Sequence, residues 1–504
     1  MMFEQQLERT LTLVEDHKRA PQYLETHYES MLTLIRQGFR LFSHTSAPKL
    51  IALIASLDPL PIRWRQHINW LDILREATEL AGEQKNYAKL CQFHRSQARI
   101  FFLSGNFKAA LTSIENAIHV AEKHALSTAL LEAHLLKFDI LGFMEREKDP
   151  EKACDMLEAI LQQQKPDLHA AEFSIFKGQI LLRRGNSLRF RNRYQQALEN
   201  VHQGFELIAD NVQDDPEVLA LAYKYRLGIN ESLENYEQAI ADNQKINEYY
   251  KALGDRFSEI DSLGDLGLIY WRTGQYAKAE QTLQESIQMA EESKAQWWLA
   301  RQLGNQGLVQ FTRGNLAQAV ELIDQQRKIG RLTGNLSEEK RAISNGAFVK
   351  IFLGQKQAAY NDLMANLTHI KKHKYHLAEG IVSANLAWAV DDIEQGREYA
   401  QSALKIAEQT NSTRLKIIAL RALSELQDDV EQKQKLAQET LLIAEKRGRH
   451  LNQAGALFTL STCLTGDKRK EARKKAESIL QFLGAENWLY TEDVFDTKRL
   501  PLLL

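Results

Sequence analysis

The chain has 504 residues, of which 44% are hydrophobic and 26% charged, as in an ordinary soluble globular protein. Its 64 basic and 66 acidic side chains nearly cancel, so no global field favours binding to nucleic acid or to an anionic membrane. No proline lies between Pro216 and Pro501, which argues against a mixed fold because turns and strand edges usually recruit proline. The composition excludes a disulfide scaffold, a largely disordered chain and a membrane protein, and it favours a helical array.

The cysteines and the N-terminal sequence indicate the cellular compartment. Cys91, Cys154 and Cys463 lie far apart with no paired spacing, which suits a reducing compartment where thiols serve as small core residues. Charged residues interrupt the first apolar stretch, and no segment approaches the ~18 uninterrupted apolar residues of a membrane span. We therefore expect a cytoplasmic protein.

Residues 1–90 contain helical patterns separated by prolines. The patterns cover residues 3–19, 23–42, 49–57 and 67–82. Prolines at positions 21, 48, 59 and 61 stand between them, where helices are expected to end. We predict an N-terminal helical cap here, with degenerate repeats as the alternative.

From residue 91 onward one short phrase recurs about every 40 residues. It consists of a turn residue, an aromatic or long residue two positions later and an alanine three positions after that. The alanines are Ala110, Ala153, Ala197, Ala239, Ala279, Ala319, Ala359, Ala400, Ala437 and Ala472. Each copy predicts a helix, a tight turn and a second helix in which the alanine lets two helix backbones approach closely. Since one such hairpin cannot bury its apolar face alone, the hairpins are expected to stack.

Several turn positions of the phrase carry glycine, namely Gly105, Gly274, Gly314 and Gly354. These positions fall where the first helix of a pair is expected to stop, and glycine accepts the left-handed conformation of a helix C-terminal cap. Two further glycine pairs, which include Gly264 and Gly304, fall inside the first helices. We expect those glycines to serve close helix packing.

Residues 263–279 resemble the consensus of the tetratricopeptide repeat (TPR) family, with Gly267 at the small position of the first helix and Tyr270 at the aromatic one. The resemblance is specific over residues 91–360, looser at 130–165 and 375–480 and absent from the termini, and the period of about 40 departs from the family's usual 34. The long repeat is similar to the sensor arrays of bacterial signalling ATPases and to kinesin-light-chain repeats. The resemblance implies an all-α fold, a right-handed α-solenoid of about ten TPR-like helix hairpins over residues 91–483, and it suggests a bacterial origin.

Residues 484–504 lose the helical period. Their apolar side chains, Trp488 among them, are expected to form a capping tail over the last helices, because the ends of solenoids need covering. Docking on another chain is the alternative.

No catalytic constellation is found in the sequence. It contains no phosphate loop, no His-Glu-x-x-His, no Cys-x-x-Cys and no Gly-x-Ser-x-Gly motif. His369, His373 and His376 have a helical spacing that can bind zinc, but lysines surround them and no acid or cysteine joins them. We expect no enzyme activity, no metal and no cofactor.

In TPR arrays the first helix of each pair lines a concave groove, and the resemblance therefore implies a set of partner-binding residues. Counting from the repeat anchors gives Arg95, Arg99, Arg189, Phe190, Trp271, Arg272, Arg301, Phe311, Arg341 and Phe348. Arginine donates a planar fork to carboxylates and aromatic rings supply rigid contacts, so this mixture suits a peptide with acidic and apolar side chains.

Three functional hypotheses follow. The leading one is a non-catalytic scaffold or adaptor that binds a protein or peptide partner in the groove and regulates or assembles a complex, for instance in a signalling or defence system. The second is a ligand- or peptide-sensing regulatory subunit of a separate protease, nuclease, transcription factor or ATPase. The third is weak nucleic-acid binding through the arginines at 183–193, although a solvated stripe is the simpler interpretation of that stretch. The sequence does not define the partner, the pathway or the oligomeric state.

Overall fold

The structure is a computed structural model. It describes residues 2–489 apart from 18–19, 42–45, 59, 65–66, 105, 144–148, 192, 213–214 and 373–375. These described residues form helices and turns, with no strand among them. They divide into two compact units, Met1–Glu259 and Ile260–Leu504. The sequence does not mark this boundary, which falls inside one helix.

Unit 1 contains the N-terminal helices and the first four hairpins. Its helices are α1 (Met2–Asp16), α2 (Pro21–Thr26), α3 (Tyr28–Leu41), α4 (Ala47–Leu57), α5 (Leu60–Arg63), α6 (His67–Glu83), α7 (Tyr87–Leu103), α8 (Phe107–Lys123), α9 (Ser127–Phe143), α10 (Pro150–Gln164), α11 (Ala170–Phe190), α12 (Tyr194–Ala209), α13 (Pro216–Ser232) and α14 (Tyr236–Leu253). One core of apolar side chains extends from Leu7 in α1 to Ile100 in α7 and gives the N-terminal helices a common interior.

Unit 2 begins within α15 (Arg256–Arg272). It continues with α16 (Tyr276–Glu292), α17 (Gln296–Thr312), α18 (Leu316–Leu332), α19 (Leu336–Phe352), α20 (Lys356–Lys372), α21 (His376–Ala389), α22 (Ile393–Gln409), α23 (Thr413–Glu425), α24 (Val430–Lys446), α25 (His450–Cys463) and α26 (Gly466–Phe482), followed by a 3-10 turn at Glu486–Leu489. A single hydrophobic core extends from Trp271 to Trp488.

Within each unit, the helices from α7 onward pack as consecutive hairpins, each odd-numbered helix against the next. The odd-numbered helix is called the first helix of its hairpin below. The alanine of the repeat phrase is fully buried in most copies, as at Ala197, Ala279 and Ala319. An alanine at this position leaves room for the neighbouring helix, which explains why the phrase recurs. The predicted all-α solenoid of TPR-like hairpins is confirmed.

The copy at Ala153 has a different register from the one predicted. Ala153 is only partly buried, whereas Cys154 is fully buried in the core that α9, α10 and α11 share. Seven residues later Leu161 is fully buried and Ile160 only partly. The buried position of this hairpin is therefore Cys154, one residue after the alanine of the sequence phrase.

The glycines play the two roles expected of them. Gly274, Gly314 and Gly354 have φ of 77°, 84° and 73° in the turns between paired helices, a left-handed conformation that side chains disfavour. Inside the helices, a Cβ on Gly264 would lie 2.2 Å from the amide oxygen of Gln302, and one on Gly304 would lie 2.3 Å from that of Gln326. Polar side chains of neighbouring helices thus occupy the space that these glycines leave. The predicted turn glycine Gly105 lies outside the described residues.

Among the described residues, no helix is long and apolar enough to span a membrane.

Candidate partner-binding surfaces

In unit 1, arginines on the first helices pair with acids on neighbouring first helices. Arg95 of α7 forms an ion pair with Glu132 of α9. Further along α9, Asp139 accepts two hydrogen bonds from Arg183 of α11, at 2.9 Å and 2.6 Å. Burial lowers the pKa of Arg95 to about 10, yet the guanidinium remains charged at neutral pH. These arginines hold adjacent hairpins together.

Glu217, at the start of α13, joins elements that are far apart in sequence. Arg63 of α5 donates to one carboxylate oxygen at 2.6 Å, and Arg99 of α7 donates to the other at 2.9 Å. The positive charge of Arg99, followed by that of Arg63, lowers the pKa of Glu217 to about 2. Glu217 therefore closes unit 1, in the sense that it connects α13 to α5 and α7 through two arginines.

A buried carboxylate lies close to this closure. Asp58 accepts hydrogen bonds from the indole of Trp70 at 3.1 Å and from Ser96 and Gln92 of α7. Burial raises the pKa of Asp58, while these hydrogen bonds and the nearby charge of Arg99 oppose that rise. The hydrogen bonds fix α7 against the loop that follows α4.

Phe190, at the end of α11, is the most exposed aromatic residue of the predicted set, and Arg189 lies next to it. The Phe190 side chain is 72% exposed, and the Arg189 guanidinium lies 4.3 Å from the centre of its ring. Arg189 also donates to Asn186 at 3.1 Å and 3.0 Å. The same guanidinium faces Gly228 of α13, where a Cβ would lie 3.6 Å from it.

The other arginines of residues 183–193 are paired with acids of the same unit. Arg184 contacts Asp155 and Glu158 at 2.8 Å and 2.9 Å. Arg191 and Arg193 both contact Glu151, at 2.6 Å and 2.8 Å. These arginines are therefore engaged by neighbouring acids, and nucleic-acid binding through this stretch stays a hypothesis.

In unit 2, the predicted arginines are likewise engaged within the chain. Arg301 of α17 contacts Asp261 at 2.5 Å and Asp265 at 3.1 Å, both on α15. Arg341 of α19 contacts Glu338 at 3.1 Å and donates to Asn305 of α17 at 2.9 Å. Burial lowers the pKa of Arg341. As in unit 1, the contacts tie successive first helices together.

The aromatic members of the set in unit 2 do not lie on an open face as expected. Phe311 is 1% exposed and Trp271 is also buried. The Trp271 indole donates to the hydroxyl of Thr312 at 2.7 Å, and Phe348 is partly buried against the same core. A distant segment of the chain covers part of the surface that the first helices of unit 2 present, and it contacts Phe311 directly.

That segment consists of residues 484–489. The Trp488 ring packs edge-on against Phe311 and Phe352, with centroids 5.9 Å and 5.1 Å apart. Its indole N–H donates to the carbonyl oxygen of Thr312 at 2.8 Å. We call Phe311, Thr312 and Phe352 the Trp488 site. The capping role predicted for residues 484–504 stays a prediction, since residues 490–504 lie outside the described part of the chain.

Polar contacts fix the same end of unit 2 to its beginning. Arg313 donates to the carbonyl oxygen of Gly484 at 3.0 Å, and Asn487 donates to Asn315. The guanidinium of Arg449 donates to the carbonyl oxygen of Arg272, another predicted residue, at 3.1 Å. Both units are therefore closed by hydrogen bonds between residues more than 100 positions apart.

The predicted partner-binding residues thus fall into two groups, one in each unit. Arg95, Arg99, Arg189 and Phe190 belong to unit 1, and the remaining six belong to unit 2. Their role in binding a partner stays a prediction. No local sequence signal marks Arg63, Glu217 or the contacts of Trp488, because their partners are remote in sequence.

Among the described residues, no group of three or more His, Cys, Asp or Glu side chains is placed to hold a metal ion. His373 of the histidine trio lies outside the described residues.

Residues 219–292 match the sequence profile of the tetratricopeptide repeat. The chain contains tetratricopeptide repeats. The matched TPR segment covers most of α13 and all of α14, α15 and α16, within the region where the sequence resembles the family most specifically. The predicted tetratricopeptide repeat is confirmed over these residues.

Several solved structures are similar to this chain. One is a signal transduction ATPase with numerous domains and a tetratricopeptide repeat sensor from Pyrococcus horikoshii, with TM-score 0.48 and 14% identity over 74% of this chain and 54% of that one. The chain spans about half the length of that ATPase. Another is a Rap protein complexed with competence and sporulation factor, with TM-score 0.49 and 12% identity over 73% of this chain and 100% of that one.

A third is aspartyl phosphate phosphatase F from Bacillus subtilis, with TM-score 0.37 and 13% identity over 79% of this chain and 94% of that one. None of the curated proteins matches the sequence. At these identities and TM-scores the similarities identify no activity for this chain.

Proposed function

We propose that the chain is a non-catalytic binding protein that regulates or assembles a complex, and that it holds a peptide or protein segment at Arg189 and Phe190 of unit 1. The segment it suits carries acidic and aromatic side chains. This proposal keeps the scaffold or adaptor hypothesis and narrows the predicted set to its most exposed aromatic residue, Phe190, and the arginine that stacks on it.

One observation carries the proposal. Phe190 exposes 72% of its side chain while the Arg189 guanidinium stacks on its ring at 4.3 Å. Aromatic and arginine side chains dominate the energetics of protein interfaces because they bury large areas and combine apolar with polar contacts. A partner ring packing on Phe190 would bury apolar surface, and a partner carboxylate would meet a charged guanidinium at the same place.

The test is selection of peptides from a random display library on the immobilised full chain. We expect the selected peptides to be enriched in aspartate, glutamate and aromatic residues, and to bind Phe190→Ala at least tenfold more weakly. Phe482→Ala is the matched control, because Phe482 is 79% exposed in unit 2 and its loss should leave binding unchanged. Equal binding to wild type and Phe190→Ala would remove this surface from the proposal.

The sensor hypothesis has support from a different observation in unit 1. Glu217 presents its carboxylate to Arg63 and Arg99, and the Arg99 side chain is 46% exposed. A carboxylate from a ligand would compete with Glu217 for the same guanidinium groups, so that binding would open the closure between α7 and α13. A regulatory subunit could signal ligand binding to a separate effector by such a change.

This second function is tested with acidic peptides by thermal shift and calorimetry. Glu217→Ala removes the internal competitor and should strengthen the binding of an acidic peptide, while Glu199→Ala on the exposed side of α12 should not. Unchanged affinity in Glu217→Ala would count against the sensor function.

A further inference from the structure

We propose that the Trp488 site is a recognition site for a peptide segment that carries a tryptophan, and that residues 484–489 occupy this site as an intramolecular competitor. The proposal concerns unit 2 and is independent of the function proposed for unit 1. It assigns a ligand chemistry to a site that the chain itself fills.

The site has the features of a side-chain receptor. Phe311 and Phe352 meet the Trp488 ring edge-on, and aromatic rings prefer this arrangement because their edges and faces carry opposite partial charge. The Thr312 carbonyl oxygen accepts the indole N–H at 2.8 Å, which leaves Trp488 only 4% exposed. Phenylalanine would fill the apolar part of the site but could not donate to Thr312, so the site selects tryptophan.

The occupant has the features of a short bound peptide. Its only regular structure is the 3-10 turn Glu486–Leu489, in which Glu486 and Asn487 are exposed while Trp488 is buried. Besides the indole contacts, Arg313 donates to Gly484 and Asn487 donates to Asn315, and Ala485 is fully buried in the same hydrophobic core. Only two of the six residues of this segment, Ala485 and Trp488, are buried, so the segment opens at a lower free energy than a packed helix.

Gly314 shows that the turn between α17 and α18 is shaped for such a segment. A Cβ on Gly314 would lie 3.0 Å from the backbone nitrogen of Trp488 and 3.0 Å from the Cβ of Asn487. A glycine here therefore lets the backbone of the occupant approach the turn. By contrast, Gly354 has a similar φ of 73° in the next hairpin, and nothing lies within 4 Å of the position of its Cβ.

Competition follows from this geometry. While residues 484–489 are bound, Phe311 is covered and a second tryptophan has no place to insert. When they leave, the same two rings and the same carbonyl oxygen become available to a partner segment. The apparent affinity for that partner is reduced by the fraction of molecules in which the site is already occupied.

The experiment uses the full-length chain and a fluorescein-labelled synthetic peptide with the sequence of residues 483–489, Leu-Gly-Ala-Glu-Asn-Trp-Leu. In Trp488→Ala the internal indole is removed, and we expect the peptide to bind this variant at least tenfold more tightly than wild type by fluorescence anisotropy. Peptides with phenylalanine or alanine in place of tryptophan should bind progressively more weakly. Equal binding to wild type and variant, or equal binding of the three peptides, would overturn the proposal.

A second pair of variants decides the matter if Trp488→Ala does not fold. Gly314→Ala and Gly354→Ala introduce the same backbone strain, but only the former places a methyl group against residues 484–489. We expect faster amide hydrogen exchange in residues 484–489 and stronger peptide binding for Gly314→Ala alone. If the two variants exchange and bind alike, residues 484–489 are not a displaceable competitor.

Discussion

At the scale of single residues, ion pairs connect helices of unit 1 that are far apart in sequence. Glu217, which pairs with Arg63 and Arg99, gives the clearest prediction. Its pKa is lowered from 4.5 to about 2 by Arg99 and Arg63. A carboxylate with a lowered pKa in the folded state stabilises the fold above its ordinary pKa and loses that contribution as the pH falls through the lowered value. The contribution of Glu217 is therefore complete above about pH 5 and disappears towards pH 2.

The check compares wild type with Glu217→Gln by chemical denaturation across this pH range. The variant should be less stable at pH 7, and the difference between the two proteins should shrink as the pH falls below 4.5 and vanish near pH 2. Glu199→Gln, on the exposed surface of the same unit, should show no such dependence. A difference that stays constant down to pH 2 would contradict the assigned ion pairs.

At the scale of an element, the register of α10 can be tested by a neighbouring pair of substitutions. Cys154 is fully buried, whereas Ala153 is partly exposed. Cys154→Leu adds volume to a packed core and should destabilise the protein by about 1–3 kcal/mol. Ala153→Leu should cost less than about 1 kcal/mol, because surface substitutions away from special features change stability little. Denaturant titration of the two variants measures both losses of stability. A larger loss for Ala153→Leu would show that Ala153 holds the buried position of α10, as the sequence phrase predicts.

At the scale of the whole molecule, each unit has its own closing contacts, and this separation is itself testable. Glu217→Gln removes a contact of unit 1 and Trp488→Ala removes one of unit 2. We expect faster hydrogen exchange only in the unit that carries the substitution. The losses of stability should add to within about 0.5 kcal/mol in the double variant, because residues without shared partners act independently. Faster exchange in the unsubstituted unit would show coupling between them.

The repeats could be predicted from the sequence because their determinants are local. Turn glycines such as Gly274 and packing alanines such as Ala279 recur at a fixed period, and each reports the conformation of its own hairpin. The register at Cys154 could not be predicted, because alanine and cysteine are both small enough for the buried position. Periodicity correctly places Phe311 on a first helix, but it carries no information about the remote residue, Trp488, that covers it.

The pairing of Trp488 with Thr312 has a consequence for how the chain folds. The two residues are 176 positions apart, so the hydrogen bond cannot form until the ribosome has synthesised nearly all of unit 2. Closing so long a loop costs only slightly more entropy than closing one of half the length, but contacts of large sequence separation slow folding. The early hairpins of unit 2 are therefore synthesised before Trp488, and Phe311 stays uncovered by that ring until the end of the unit emerges.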